Sequence, residues 1–417
     1  MKRESTVSLV WKLVKGIFFL PTWHRQDGVN RDPNLWVFGA WRGERYADNS
    51  RALFEFVLHH HPEIKAVWIA RSEDVFRHLD EQKLPVVMAD SREGVEMQRK
   101  ASVAVISWGI NEDMDARYLN GAKILFLWHG MPLKKIGKDE MAFKTNARSR
   151  WKQFKTRLRE RVLPYECMLA VAARKGRLVT VSTAPFFTPF LQSAWLLDRP
   201  FIWEVGMPRN DKLFDVGHEK MMEILDREYD KPVKVLYMPT FRDQCSEVSG
   251  CFNPFERAGF QADSFCKMLE EQNMVFLYKG HFMDQDNRVA YGERMLTVGD
   301  NDYDDLYRFV KDVDVLVTDY SSIYFDFLLC RKPIVLFPFD LDDYVAHSRP
   351  FYFDYKLMEG KKVYTWHELE MVLRNRDYTV PSDKTVALFN HYRDGQCCRR
   401  LFDKMRPWAF PTTSTTH

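Results

Sequence analysis

No CxxC pair occurs among the seven cysteines of this chain, Cys167, Cys245, Cys251, Cys266, Cys330, Cys397 and Cys398. Paired zinc-ligand spacing is therefore missing, and no acidic cluster reads as a metal cage. No metal site and no cofactor is assigned on this pattern, and metal dependence stays open. The odd count, the long chain and the vicinal pair Cys397–Cys398 fit a reduced, cytoplasmic setting. The apolar run at residues 9–20 is broken by Lys12 and Lys15. It is shorter than the ~20 residues that span a bilayer, and no small-residue cleavage site follows it. It reads either as a surface-lying amphipathic segment, with Trp11, Phe18 and Phe19 on the apolar side, or as a helix packed on its domain. Charge of one sign is lacking too: the formal net charge is only +3, so no global attraction to nucleic acid follows.

What is present is apolar surface. The 417 residues are 46% hydrophobic and 14% aromatic, enough for large cores and for two or three domains. Short apolar runs alternate with helical patterns. Residues 65–70 (KAVWIA), 102–107 (SVAVIS), 123–127 (KILFL), 178–182 (LVTVS) and 201–205 (FIWEV) read as strands buried on both faces. Residues 51–60 and 185–197 read as helices between them. The pattern restarts with strands at 233–238, 274–278, 295–298, 314–317 and 333–337. Helices are expected at 254–272, 303–311, 321–330 and 366–374, the last opened by a Thr365/Glu368 capping box. Strands alternating with helices predict an α/β chain of two doubly wound Rossmann-type domains with a cleft between them. Gly206-Met207-Pro208 marks the seam. The expected division is an N-terminal domain at 1–205, a C-terminal domain at 206–385, and a closing helix with a loose tail at 386–417.

In doubly wound sheets ligands gather beyond the carboxyl ends of the strands. The strand ending at Val317 runs into Thr318-Asp319-Tyr320-Ser321-Ser322 and then a helix. Such a turn suits a phosphate, through free N–H groups and hydroxyls; ordinary capping by Asp319 or Ser321 explains it equally well. His129 follows the strand at 123–127 in a loop shaped by Gly130 and Pro132, where a histidine can serve as a general base. Lys134 and Lys135, in the same loop, could hold an anion or stay solvated. Lys279 and His281 follow the strand at 274–278, and Arg242 follows the strand at 233–238. Each could meet a phosphate, although Arg242 could instead pair with Asp243.

These residues lie in stretches that resemble the CDP-glycerol glycerophosphotransferases of teichoic acid and capsule synthesis. The stretches are RYADNSRALFEF at 45–56, WHGMPLKKIGKD at 128–139, GMPRND at 206–211 and YMPTFRD at 237–243, followed by DVLVTDYSSIYFDF at 314–327, KPIVLFPFDLDDY at 332–344 and RPFYFDY at 349–355. The resemblance implies a GT-B-like fold, a CDP-glycerol or other CDP-polyol donor such as CDP-ribitol, and an acceptor that is a lipid-linked glycan or polyol phosphate. It implies that His129 is the catalytic base and that His281 is a second catalytic histidine at the donor pyrophosphate. Arg242, Lys279, Thr318, Asp319, Ser321 and Ser322 become donor contacts. Lys134, Lys135, Arg209 and Asn210 become contacts to the acceptor or its phosphate. A binding protein of the same fold without turnover is the alternative from another class, and the intact His129, His281 and Arg242 speak against it. The chain departs from the pattern where Phe282 follows His281, a place where relatives often carry proline.

Between Lys144 and Arg161 lie eight basic residues and one acid, Glu160. Trp151, Phe154 and Leu158 share one helical face, with Lys152 and Lys155 beside them. A basic amphipathic helix at 144–161 suits an anionic membrane surface, and a peripheral position on the cytoplasmic face of the bacterial membrane is expected. A merely solvated face is the competing reading, and nucleic acid is not an expected partner.

Overall fold

The computed structural model describes residues 20–21, 23–26, 29–144, 167–240, 242, 253–280, 291–300 and 302–410. The amphipathic segment at 9–19, the basic stretch at 145–161 with its membrane-contact residues Trp151, Lys152, Phe154, Lys155 and Leu158, His281, and the tail at 411–417 lie outside these residues. The chain forms two compact units.

The first unit is built on seven parallel strands in the order β3-β2-β1-β4-β5-β6-β7. They are β1 (Asp32–Phe38), β2 (Lys65–Ala70), β3 (Val86–Met88), β4 (Ala101–Ile106), β5 (Lys123–Phe126), β6 (Leu178–Ser182) and β7 (Ile202–Glu204). Register is set around Trp36, which pairs with Ala66 on one side and Val103 on the other. Burial on both faces explains the unbroken apolar runs: Trp36, Phe38, Trp68, Val105 and Leu125 are all fully inaccessible. The order reverses between β1 and β4, so the carboxyl ends of these two strands flank the switch point where ligands bind in such sheets.

The second unit has six parallel strands in the order β10-β9-β8-β11-β12-β13. They are β8 (Val233–Met238), β9 (Met274–Tyr278), β10 (Met295–Thr297), β11 (Val315–Thr318), β12 (Ile334–Leu336) and β13 (Lys361–Lys362). Its switch point lies between β8 and β11. Trp366 centres the core, with Phe255, Phe260, Phe265, Phe276 and Phe337 rings around it. Trp366 begins the helix Trp366–Asn375, which carries the capping box read from the sequence: Glu368 N–H donates to Thr365 Oγ1 and Thr365 N–H to Glu368 Oε2.

The units differ from the expected division in three places. Residues 206–211 pack with the first unit, not the second, and the second unit begins at Lys212. The loop Gly130–Ile136 packs with the second unit. The region expected as one closing helix forms two, Asp383–Phe389 and Cys397–Ala409, and the latter belongs to the first unit. Its residues Cys398, Leu401, Phe402, Met405 and Ala409 recur at helical spacing and are buried in the first core. Phe402 meets Trp36 at 5.6 Å between ring centroids. Asp211 starts this helix: its carboxylate accepts from Cys397 N–H at 2.7 Å and Cys398 N–H at 2.8 Å. Helix expectations at 254–272 and 303–311 are also trimmed, to a 3-10 turn Pro254–Glu256 with helix Ala262–Glu271, and to helix Leu306–Lys311.

Candidate active-site residues

At the switch point of the second unit, β11 ends at Thr318 and β8 at Met238. Thr318 is fully buried, and its hydroxyl donates to the Met238 carbonyl at 2.7 Å. That hydroxyl ties the two strand ends together. Asp319 is also fully buried. Its Oδ1 accepts from Thr240 N–H at 2.8 Å and from Tyr320 N–H, and its Oδ2 accepts from Arg242 Nη2 at 2.8 Å. Arg242 donates further to both carboxylate oxygens of Asp340, from Nε at 2.8 Å and from Nη2 at 2.9 Å, and to the Thr240 carbonyl at 2.6 Å. Burial opposes the charge on Arg242, but Asp319 and Asp340 outweigh it and raise the guanidinium pKa. Arg242 and Asp319 thus brace one another.

Aromatic rings close over the same cluster. Tyr320 stacks on Tyr344 at 4.6 Å, and Arg242 lies 5.2 Å from the Tyr320 ring and 4.9 Å from that of Tyr344. Tyr320 OH donates to Asp340 at 3.0 Å, and Tyr355 OH donates to the Asp319 carbonyl at 2.9 Å. Burial pushes the Tyr344 hydroxyl up to about 12. Ser321 and Ser322 stand at the outer end of this braced turn and are partly exposed. Ser322 precedes the short helix Ile323–Phe327 and makes no side-chain capping bond. Capping therefore does not account for its hydroxyl.

Lys279, at the end of β9, is 8% exposed and donates to Asp300 Oδ1 at 2.8 Å; Tyr303 OH donates to the same oxygen. Its charge is matched within the unit. The loop Gly130–Ile136 is held by main-chain bonds to the segment 350–352: Lys135 N–H donates to the Pro350 carbonyl and Tyr352 N–H to the Leu133 carbonyl. Lys134 reaches to 5.9 Å from the Tyr344 ring, the ring that also meets Arg242. Asp326 is buried and accepts from Tyr307 OH at 2.9 Å, a structural bond.

In the first unit His129 follows β5, and its imidazole lies among indoles. It stacks on Trp108 at 4.8 Å and 16°, with Trp128 at 3.8 Å and Trp41 at 5.8 Å. Trp41 and Trp108 follow β1 and β4, so this group of rings occupies the switch point. The backbone there is strained: Trp41, Arg42 and Trp128 have φ of 48°, 63° and 57°. Each left-handed non-glycine residue costs roughly 1–3 kcal/mol and persists only where its surroundings enforce it. Asp113 supplies part of that enforcement. Fully buried, it accepts from Arg42 N–H at 2.9 Å, Ser107 N–H at 2.9 Å and Trp108 N–H at 2.8 Å. Burial pushes its carboxyl up to about 6, against the pull of these N–H groups.

Arg209 and Asn210 also belong to the first unit, 5% and 1% exposed. Arg209 pairs with Asp48 at 2.7 Å inside the protein. The sequence stretches at 45–56 and 332–344 contained Asp48, Asn49, Asp340 and Tyr344, yet nothing in them named these residues. Trp108 carried no sequence signal beyond its place after the strand at 102–107, and Trp41 and Asp113 carried none. Among the described residues no group of three or more His, Cys, Asp or Glu could hold a metal ion, and no helix is long and apolar enough to cross a membrane.

A teichoic acid glycerol-phosphate transferase of Staphylococcus aureus (strain NCTC 8325 / PS 47) is 29% identical over 391 residues, 88% of this chain and 92% of its own length. A teichoic acid poly(glycerol phosphate) polymerase of Bacillus subtilis (strain 168) is 25% identical over 83% of this chain, which spans only 44% of that protein. The solved structure of the wall teichoic acid polymerase TagF, 21% identical, covers 97% of this chain and 98% of its own with a TM-score of 0.71. That likeness shows the fold, two parallel-sheet units of GT-B-like kind. The sequence model of one family matches residues 19–406, and the chain belongs to that family, CDP-glycerol:poly(glycerophosphate) glycerophosphotransferase.

Proposed function

We propose that this enzyme transfers glycerol phosphate from CDP-glycerol to a hydroxyl of a lipid-linked or growing polyol-phosphate acceptor, releasing CMP. The observation that carries the reading is the braced turn ending in Ser321 and Ser322, at the switch point of the second unit, in a chain of this family. An acceptor oxygen attacks the phosphorus that bears glycerol, and the bond from that phosphorus to the CMP oxygen breaks. His129 takes the hydroxyl proton, and CMP leaves with the electron pair. Ser321 and Ser322 donate to the donor phosphates, with Lys134 and Lys135 adding positive charge for an anionic substrate. His281 assists at the pyrophosphate. Glycerol is preferred over ribitol because the S. aureus glycerol-phosphate transferase aligns over 88% of the chain and a ribitol-phosphate polymerase of the same organism over 51%. The enzyme works as a peripheral protein on the cytoplasmic membrane face, with the basic stretch at 144–161 on anionic lipid.

CMP release from CDP-glycerol and CDP-ribitol, assayed in parallel with a membrane extract as acceptor, tests the reaction. Release from CDP-glycerol is expected, and release from neither donor rejects transfer. His129→Ala is expected to retain donor binding and lose most turnover; normal turnover removes it as the base. Vesicle flotation with Trp151, Phe154 and Leu158 changed to Ser tests the membrane helix, and undiminished binding rejects it.

A further inference from the structure

We infer that Arg209, Asp48 and Asn49 are positioning residues that aim His129, an inference that rests on His129 being the base. The two peptide planes on either side of the His129 Cα are those whose oxygens belong to Trp128 and His129. Each is held by one buried donor. Asn49 Nδ2 donates to the Trp128 carbonyl at 3.0 Å, and Arg209 Nη1 donates to the His129 carbonyl at 3.0 Å. Fixing both planes fixes φ and ψ of His129 and so the direction of its Cα–Cβ bond.

The donors are themselves locked together. Arg209 Nη1 meets Asp48 Oδ1 at 2.7 Å, and Arg209 N–H donates to Asn49 Oδ1 at 3.2 Å. Arg209 and Asn49 are 5% and 0% exposed, so water does not compete for these bonds. Asp48 reaches the imidazole by a second route. Its Oδ2 accepts from Trp41 Nε1 at 3.0 Å, and the Trp41 ring lies 5.8 Å from that of His129. One carboxylate thus governs both the main chain of His129 and a ring packed beside its side chain. The left-handed Trp128, φ 57°, is the strained joint that this network holds closed. A general base misplaced by about 1 Å loses on the order of 10²-fold in rate, which gives such a network its function.

The test uses the full chain with CDP-glycerol and a membrane extract. Arg209→Lys keeps a charge for Asp48, but its ammonium lies one bond short of Nη1, the single atom that meets both Asp48 and the His129 carbonyl. It is expected to lower kcat by about 10²-fold while calorimetric CDP-glycerol affinity stays within about twofold. In the His129→Ala background the same change is expected to cause no further loss, because the two act as one unit. The imidazole C–H proton signals, assigned by their absence in His129→Ala, are shifted by the stacked indoles and should move toward solvent values in Arg209→Lys. Asn49→Ser removes the donor to the Trp128 carbonyl, together with the acceptor of Arg209 N–H and the contact to Met207 Sδ, and carries the same test if Arg209→Lys does not fold. Equal losses of kcat with and without His129, a parallel fall in donor affinity, or an unmoved imidazole signal would overturn the inference. Full turnover in His129→Ala would instead sink the base assignment. Turnover lost in His129→Ala but kept in Arg209→Lys and Asn49→Ser would sink the network alone.

Discussion

Arg242 meets Asp319 at 2.8 Å with side chains 7% and 0% exposed, across 77 residues of sequence. Removing the cation leaves Asp319 buried beside Asp340 with no matching charge, and breaking such a buried pair costs about 3–5 kcal/mol. Arg242→Ala should therefore lower the unfolding free energy of the second unit by roughly that amount. Urea denaturation followed by tyrosine and tryptophan emission measures it. A loss of less than about 1 kcal/mol would mean that the pair behaves as a surface bridge.

The serines beyond this brace should act on affinity and not on stability. Ser321→Ala and Ser322→Ala remove partly exposed hydroxyls, and Ser322 gives no capping bond. A hydrogen bond to a charged phosphate contributes roughly 1.5–3 kcal/mol, so each change should weaken CDP-glycerol binding by about ten- to a hundredfold. Calorimetry against an unchanged melting curve distinguishes this from a folding defect. Unaltered affinity in both variants would move the donor elsewhere.

The strands that could be read directly were those buried on both faces. β2, β6, β8 and β9 are continuous apolar runs, and their limits match the sequence reading. β1 stayed hidden although it is central, because it opens on Asp32-Pro33-Asn34, residues that signal a turn. β13 is two lysines whose strand character comes only from pairing with Val335 and Leu336. For the candidate site, the strand-end rule pointed to His129, Arg242 and the serine turn. It could not find their partners. Asp340 lies 98 residues from Arg242 and Asp48 lies 161 from Arg209, so no local spacing joins them. The polarity of buried Arg209, Thr318 and Asp319 was legible in the sequence; their internal partners were not.

Gly206 lies inside the first unit, before the division at Lys212, and is glycine for a reason that the fold supplies. Its φ is 88°, and a Cβ there would come within 2.4 Å of Cys397 Sγ, on the helix that returns to the first unit. Gly206→Ala combines a left-handed alanine, costing roughly 1–2 kcal/mol, with a steric conflict. Cys397→Ala in the same chain removes the sulfur and should recover the steric part while leaving the backbone part. Thermal unfolding of the two single variants and the double variant gives the coupling, and strictly additive losses would show that Gly206 is required for its φ alone.

Asp113 offers the clearest pH signature. Its carboxyl is pushed up to about 6 by burial, above its ordinary value of 3.8. Between these values the folded protein holds a proton that the unfolded chain has released, so stability falls as pH rises through this window. The contribution is fully present below about pH 4 and gone above about pH 6. Asn at this position does not titrate. The difference in unfolding free energy between the wild type and Asp113→Asn should therefore shift against the wild type from pH 4 to 6, by at most about 1.4 kcal/mol per pH unit, and level off above pH 7. Arg42, Ser107 and Trp108 N–H groups all face this carboxylate, and an asparagine NH2 would oppose one of them, so the variant should still be the less stable protein at pH 7. Urea titrations of both proteins at four or more pH values, roughly evenly spaced across the window, decide it. A pH-independent difference would place the Asp113 carboxyl at an ordinary value and assign the enforcement of the Trp108 turn to an always-ionised group.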